Sequence, residues 1–180
     1  MHTVKARPMS KPHRRRGFTL IELVVVITIL AILTGVLVPR VNLHMKSARD
    51  ARRLADIKSL RNAIEQYYMD RGEYPRHEAN SAFGEWDVSH DGAFLRDLVE
   101  QGYLEEELLD PQNDPQFHYR YVVLPPGSWG CQGKNPFYVL GVRNFENAEF
   151  AQKHKSFFKC SNRNWSNEFA YVTGGGVVQE

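Results

Sequence analysis

From Phe18 to Val38 the chain is apolar at nearly every position. Its only charge is Glu22, and the other polar or small residues are Thr19, Thr28, Thr34 and Gly35. As a helix rising about 1.5 Å per residue, the segment would span roughly 31 Å, matching a hydrocarbon core of about 30 Å, so the pattern predicts one membrane crossing. Beyond it, Leu54, Ile57, Leu60, Ile64 and Tyr67 or Tyr68 recur at spacings of three and four, with charges between them. That periodicity continues the helix to about Asp70, where Gly72 supplies a C-cap and Pro75 prevents resumption. Within the apolar stretch, Pro39 removes a backbone hydrogen bond and crowds the preceding turn. It predicts either a kink or melted stretch from Gly35 to Pro39, or a helix end at the membrane surface.

After the helix, residues 76–92 are polar and read as a loop, and Ala93–Leu104 carries Phe94, Leu95, Leu98 and Val99 at helical spacing. Asp110-Pro111 and Asp114-Pro115 mark turns. Three aromatic or β-branched runs, Phe117–Leu124, Phe137–Val142 and Phe169–Thr173, then predict a small antiparallel sheet. Gly174-Gly175-Gly176 follows the last run with no helix after it and reads as a flexible tail.

Charge divides the chain. Residues 1–17 hold six Lys/Arg (Lys5, Arg7, Lys11, Arg14, Arg15, Arg16) and no acid, and subtracting them from the chain's +2 leaves −4. A basic leader on an acidic body suits a membrane or its machinery and argues against nucleic acid, which calls for a basic folded face. The apolar segment is followed by Pro39-Arg40-Val41-Asn42 rather than a small-residue cleavage site, so it reads as retained. Arg40, Lys46, Arg49, Arg52 and Arg53 follow it, nearly balancing the leader. The Arg14–Arg16 cluster, with the cysteines, places the N-terminus inside. Cys131 and Cys160 are the only cysteines and share no metal-ligand spacing. They read as a disulfide outside the cytosol, or as two buried thiols.

An acid within an apolar helix requires a partner. No basic residue lies on the helical face of Glu22 within the span. Cleavage between Gly17 and Phe18 would create a new α-amino group, which in an axially shifted neighbouring subunit could pair with Glu22 and fix register. The alternative is that Glu22, near one end of the span, snorkels to the interface.

The run Arg16-Gly17-Phe18-Thr19-Leu20-Ile21-Glu22-Leu23 resembles the leader junction of type IV pilins and type II secretion pseudopilins. The resemblance covers roughly residues 14–40, and Asp70-Arg71-Gly72-Glu73-Tyr74-Pro75 is similar to the helix-ending G-x-Y-P element frequent in pseudopilins. It implies a prepilin peptidase that cuts after Gly17 and methylates the amine of Phe18, an assembly role for Glu22, and a helix bend near Gly35 and Pro39. The leader is long for this family, and Met9 offers an internal start. The implied fold is α+β, a lollipop in which a long N-terminal helix, transmembrane in its first half, packs by its second half on a small antiparallel sheet. The division is then a cleaved leader at 1–17, an assembly helix at 18–38, its continuation to 75 and a globular domain at 76–180.

Catalysis finds no support: the chain lacks G-x-S-x-G, a P-loop and H-E-x-x-H, and its seven histidines share no spacing. No cofactor or metal is expected. The loop with which major pseudopilins hold calcium is not matched, and Glu105, Glu106, Glu107, Asp110 and Asp114 read as a solvated acidic face. The expected function is a structural subunit of a pilus-like or type II secretion pseudopilus filament. Its partners would be copies of itself and related pilin-like subunits, prepilin peptidase, and an inner-membrane assembly platform and motor. The competing reading is a membrane-anchored envelope binding module, or a minor pilin that primes assembly or binds a substrate or DNA. In either case the chain would sit in the bacterial inner membrane with its C-terminal domain outside the cytoplasm.

Overall fold

The structure, a computed structural model, describes residues 17–177; the basic leader and the candidate start at Met9 lie outside the described residues. Helix α1 runs from Leu20 to Arg71, one residue beyond the expected end. It terminates as the sequence dictates, with Gly72 left-handed (φ 74) and its N–H bonded to the Tyr68 carbonyl at 2.8 Å. By contacts the chain forms two units, 1–41 and 42–180.

The second unit is built on a four-stranded antiparallel sheet of β1 (Asp87–Val88), β2 (Tyr119–Leu124), β3 (Phe137–Val142) and β6 (Tyr171–Gly175), in the order β1-β2-β3-β6. Alternation along the strands sends residues to two faces. Tyr119, Tyr121, Tyr138, Leu140 and Val142 meet Ile57, Leu60, Ala63, Ile64 and Tyr67 of α1, with Phe94, Leu95 and Leu98 closing that core. The helical periodicity thus marks the face that the sheet buries.

Val88, Val122, Phe137, Val139 and Val172 point the other way, into a second core with Trp86, Phe158, Trp165 and Phe169. The sequence did not reveal this layer. Every residue of β3 is therefore buried, which suits its unbroken apolar run.

Three expectations are corrected. The short second helix, expected within Ala93–Leu104 and to end near Gly102, is shorter still: α2 spans Arg96–Glu100. Ala93 and Leu95 are left-handed (φ 64 and 48). The Phe94 N–H donates to Glu107 Oε1 (2.6 Å) and the Leu95 N–H to Asp87 Oδ2 (3.2 Å), so side chains take the backbone donors that would begin the helix. The glycine run is not a loose tail, because Gly174 and Gly175 pair with Val139 and Tyr138 of β3. A Cβ on Gly174 would strike the Tyr138 carbonyl oxygen and reach 2.5 Å from the Phe158 ring, so the strand requires glycine there. The segment 76–92 contains β1, which its polar composition concealed.

Helix α3 (Ala148–Lys153) and the hairpin of β4 (Lys159–Cys160) and β5 (Arg163–Asn164) also lay within stretches without strong periodicity. The signal for α3 was its cap: the Asn147 side chain accepts from the N–H groups of Glu149 and Phe150.

Candidate functional site

Gly17 and Phe18 precede α1, and Phe18 is 89% exposed. Thr19 begins the helix with a reciprocal cap, for which the T-x-x-E spacing of Thr19 and Glu22 is the sequence signal. The Glu22 carboxylate accepts from both the backbone N–H and the hydroxyl of Thr19 at 2.8 Å, and the Glu22 N–H donates to Thr19 Oγ1 at 3.3 Å. Glu22 therefore sits in the first turn, where the positive end of the helix dipole also favours an anion. Both bonds fall on Oε2, from the residue next to Phe18.

The other hydroxyls in the span are satisfied in the same way. Thr28 Oγ1 donates to the Val24 carbonyl at 2.7 Å and Thr34 Oγ1 to the Leu30 carbonyl at 2.6 Å, the arrangement a helix needs in a medium without water. Every side chain from Phe18 to Gly35 is exposed, including twelve large apolar ones between Phe18 and Leu33. Covering them would release on the order of 20–30 kcal/mol, so the surface is built for lipid or for other apolar helices. Among the described residues this is the one helix long and apolar enough to cross a membrane.

Gly35 lies about 20 Å along the helix from Glu22 and Pro39 about 26 Å, so neither meets the acid. Helix α1 continues through both, and nothing lies within 4 Å of where a Gly35 Cβ would stand.

A second site ties the soluble part of α1 to the following domain. Arg53 is fully buried and uses all five N–H donors. Nε and Nη2 donate to the two oxygens of Asp110 (2.7 and 2.9 Å), Nη1 to Asp50 Oδ1 (2.7 Å) and Glu146 Oε1 (2.9 Å), and Nη2 also to Gln112 Oε1 (3.0 Å). The guanidinium lies 5.0 Å from the Phe117 ring centroid. Arg49 adds a two-pronged contact to Glu146 (2.7 and 2.5 Å), and this hydrogen bond holds the Glu146 carboxyl below its ordinary value despite burial. Asp50 in turn accepts from the backbone N–H groups of Glu146 and Asn147, fixing the approach to α3.

The acidic-face reading fails at three of its five positions. Asp110 is 4% exposed and holds Arg53, Glu107 binds the Phe94 backbone, and Asp114 accepts from the N–H groups of Gln116 and Phe117. Sequence alone gave no signal for the pairing, since Arg53 and Asp110 are 57 residues apart. Cys131 and Cys160 are joined as a disulfide, with Cα atoms 4.7 Å apart, linking the 127–131 loop to β4. Fold proximity also creates a histidine pair, His90 and His118, with ring centroids 4.7 Å apart. His118 accepts from Arg120 Nε at 2.8 Å through Nε2, and burial keeps it neutral by lowering its pKa to about 4.

The family described as the prokaryotic N-terminal methylation motif matches residues 12–38, containing Gly17, Phe18 and Glu22. Over longer stretches the chain is similar to proteins named type II secretion system core protein G. With that of Aeromonas hydrophila it shares 32% identity over 119 residues, 65% of this chain and 78% of the relative. With that of Escherichia coli K12 it shares 36% over 136 residues, covering 68% and 81%. With that of Pseudomonas aeruginosa it shares 32% over 132 residues, covering 72% and 84%. No solved structure matches the chain.

Proposed function

The chain belongs to the family of type II secretion system core protein G, and from that membership we propose that it is a structural subunit of a pseudopilus, processed by prepilin peptidase and polymerised through α1. One observation carries the reading: the methylation motif opens a helix that from Leu20 to Gly35 is almost wholly apolar and exposed, with the hydroxyls of Thr28 and Thr34 bonded to its own carbonyls. Such a surface is at home in lipid and equally ready to pack against copies of itself.

Processing would cut between Gly17 and Phe18 and leave a methylated Phe18 amine. Glu22 then has two candidate partners, its own Thr19 cap and the amine of a neighbouring subunit, and exchanging one for the other would set register without baring a charge in lipid. Gly35 and Pro39 mark where the helix can yield during filament packing, since Pro39 contributes no donor to the ladder. An inner-membrane platform and motor would supply the work of extraction. The Cys131–Cys160 disulfide suits an oxidising compartment.

Three features support an orientation with the N-terminus inside: six Lys/Arg precede the span against five just after it, Arg14–Arg16 form a compact cluster, and the disulfide suits a domain outside the cytosol.

Intact-mass analysis of membrane-expressed protein, with and without prepilin peptidase, tests the reading. The expected product begins at Phe18 and carries one added methyl group. A chain that stays uncut would overturn it in favour of a membrane-anchored binding module. In cells, Glu22→Leu is expected to be processed yet fail to assemble, whereas a simple anchor would tolerate it.

A further inference from the structure

Beside the disulfide, the β4–β5 hairpin and the end of the 127–131 loop form an open cavity of about 410 Å³, within the range of about 300–1,000 Å³ typical of small-ligand sites. Lys159, Ser161, Asn162, Arg163 and Asn164 contribute its polar wall. Next to it stands Trp129, whose carbonyl accepts from the Asn162 N–H at 3.0 Å. We propose that this cavity and the Trp129 ring form a binding site for an acidic saccharide, with a sugar ring against the indole and its carboxylate toward Lys159.

Trp129 is displayed at a cost. Its backbone is left-handed (φ 55, ψ 22), a conformation unfavourable to a residue with a Cβ, and Gly127 and Gly130 on either side are left-handed too. Trp86 and Trp165 are 6% and 0% exposed and build the second core, but Trp129 remains 47% exposed. The two cores therefore make no use of this indole. The ring is also held in place. The Arg163 guanidinium lies 4.6 Å from its centroid and is itself fixed by two 2.9 Å bonds to Glu168.

Charge selects the ligand. Between Glu149 and Glu168 there are four Lys/Arg, together with His154, and no acid, on a chain that is otherwise net acidic after its leader. Lys153 pairs with Glu149 and Arg163 with Glu168, but among the described residues neither Lys159 nor the Asn162 side-chain amide has a hydrogen-bond partner. Asn164 spends its oxygen on the Ser166 N–H, which leaves its NH₂ as a donor. The wall therefore offers an ammonium and amide donors to a ligand rich in acceptors. A nucleic-acid strand would call for successive stacking platforms along a basic groove; here a single ring adjoins the cavity. The disulfide keeps the two sides of the site together.

The test is isothermal titration of the full chain in detergent micelles with tetragalacturonate, alongside neutral cellotetraose and a twelve-residue oligothymidylate. Tetragalacturonate is expected to bind at least fivefold more tightly than cellotetraose. Trp129→Ala should weaken it about tenfold, Lys159→Ala should weaken it severalfold and flatten its salt dependence, and Phe157→Ala, at an exposed ring outside the cavity, should leave it unchanged. Thermal midpoints establish that each variant is folded, and Trp129→Gly, which suits the left-handed backbone, serves if the alanine variant is not. Absence of uronide binding, undiminished affinity in the folded Trp129 variant, or tighter binding of the oligothymidylate would each overturn the proposal. Processing at Phe18 is independent of all three outcomes.

Discussion

Arg53→Met removes the charge at the centre of the buried network while nearly keeping the stem volume. Five hydrogen bonds are lost, and of the ion pairs that Asp50, Asp110 and Glu146 make among the described residues only that of Glu146 with Arg49, 30% exposed at its side chain, remains. Breaking a buried pair from one side costs about 3–5 kcal/mol, because the surviving carboxylates stay desolvated. At about 3 °C per kcal/mol for a folded unit of this size, the midpoint should fall by roughly 10–15 °C at neutral pH. The readout is Trp fluorescence of the full chain in micelles, since buried Trp86 and Trp165 report the folded domain. Arg53→Lys should recover part of the loss, because an ammonium restores charge but not the fork to Asp110. The Met variant should regain stability as pH falls and the orphaned carboxylates protonate. A fall under about 1 kcal/mol, or a loss independent of pH, would refute the account of the network.

Gly174→Ala should destabilise by about 2 kcal/mol or more through overpacking against Phe158 and Tyr138, measured by urea denaturation. Reducing the Cys131–Cys160 bond, which closes a loop of 29 residues in sequence separation, should cost about 3–4 kcal/mol, read by the same titration with and without reductant. Burial pushes the Asp87 carboxyl up to about 7 against the lowering effect of the Leu95 and Glu78 N–H groups, and its Oδ1 has no partner. A raised carboxyl binds its proton more tightly in the folded state, so stability should decline from about pH 4 to pH 7 by up to a few kcal/mol and then level off. Asp87→Asn should flatten that slope in a pH series of unfolding midpoints.

What the sequence made legible was local. The apolar run, the spacing of Leu54, Ile57, Leu60 and Ile64, and the Gly72 and Pro75 stop each act within a few residues of themselves, and α1 follows from them almost to its last turn. Strands β2 and β3 were legible for the same reason. What it concealed depended on distant neighbours. Asp110 looked like surface because only the fold brings Arg53 to it. The left-handed Leu95 shortened α2 because an acid on β1 claimed its N–H. Gly174 looked like slack because the ring and carbonyl that exclude a Cβ come from 16 residues earlier and from another strand.

Glu22 falls between these cases. Its placement in an apolar helix is visible in the sequence and calls for a partner, and the nearest donors are not a cation but the amide and hydroxyl of Thr19. The cap changes the energetics of assembly more than its identity. Were Glu22 bare, insertion would carry the full cost of an unpaired acid and the subunit would be driven toward any available cation. Because Oε2 of the carboxylate already accepts two 2.8 Å bonds in the first turn, the proposed pairing with a neighbour's amine would have to compete with them. The gain from such pairing would then be a difference between two hydrogen-bonded states rather than rescue of a bare one. In the proposed filament, such a balance would let subunits assemble when driven together and return to the membrane when they are not.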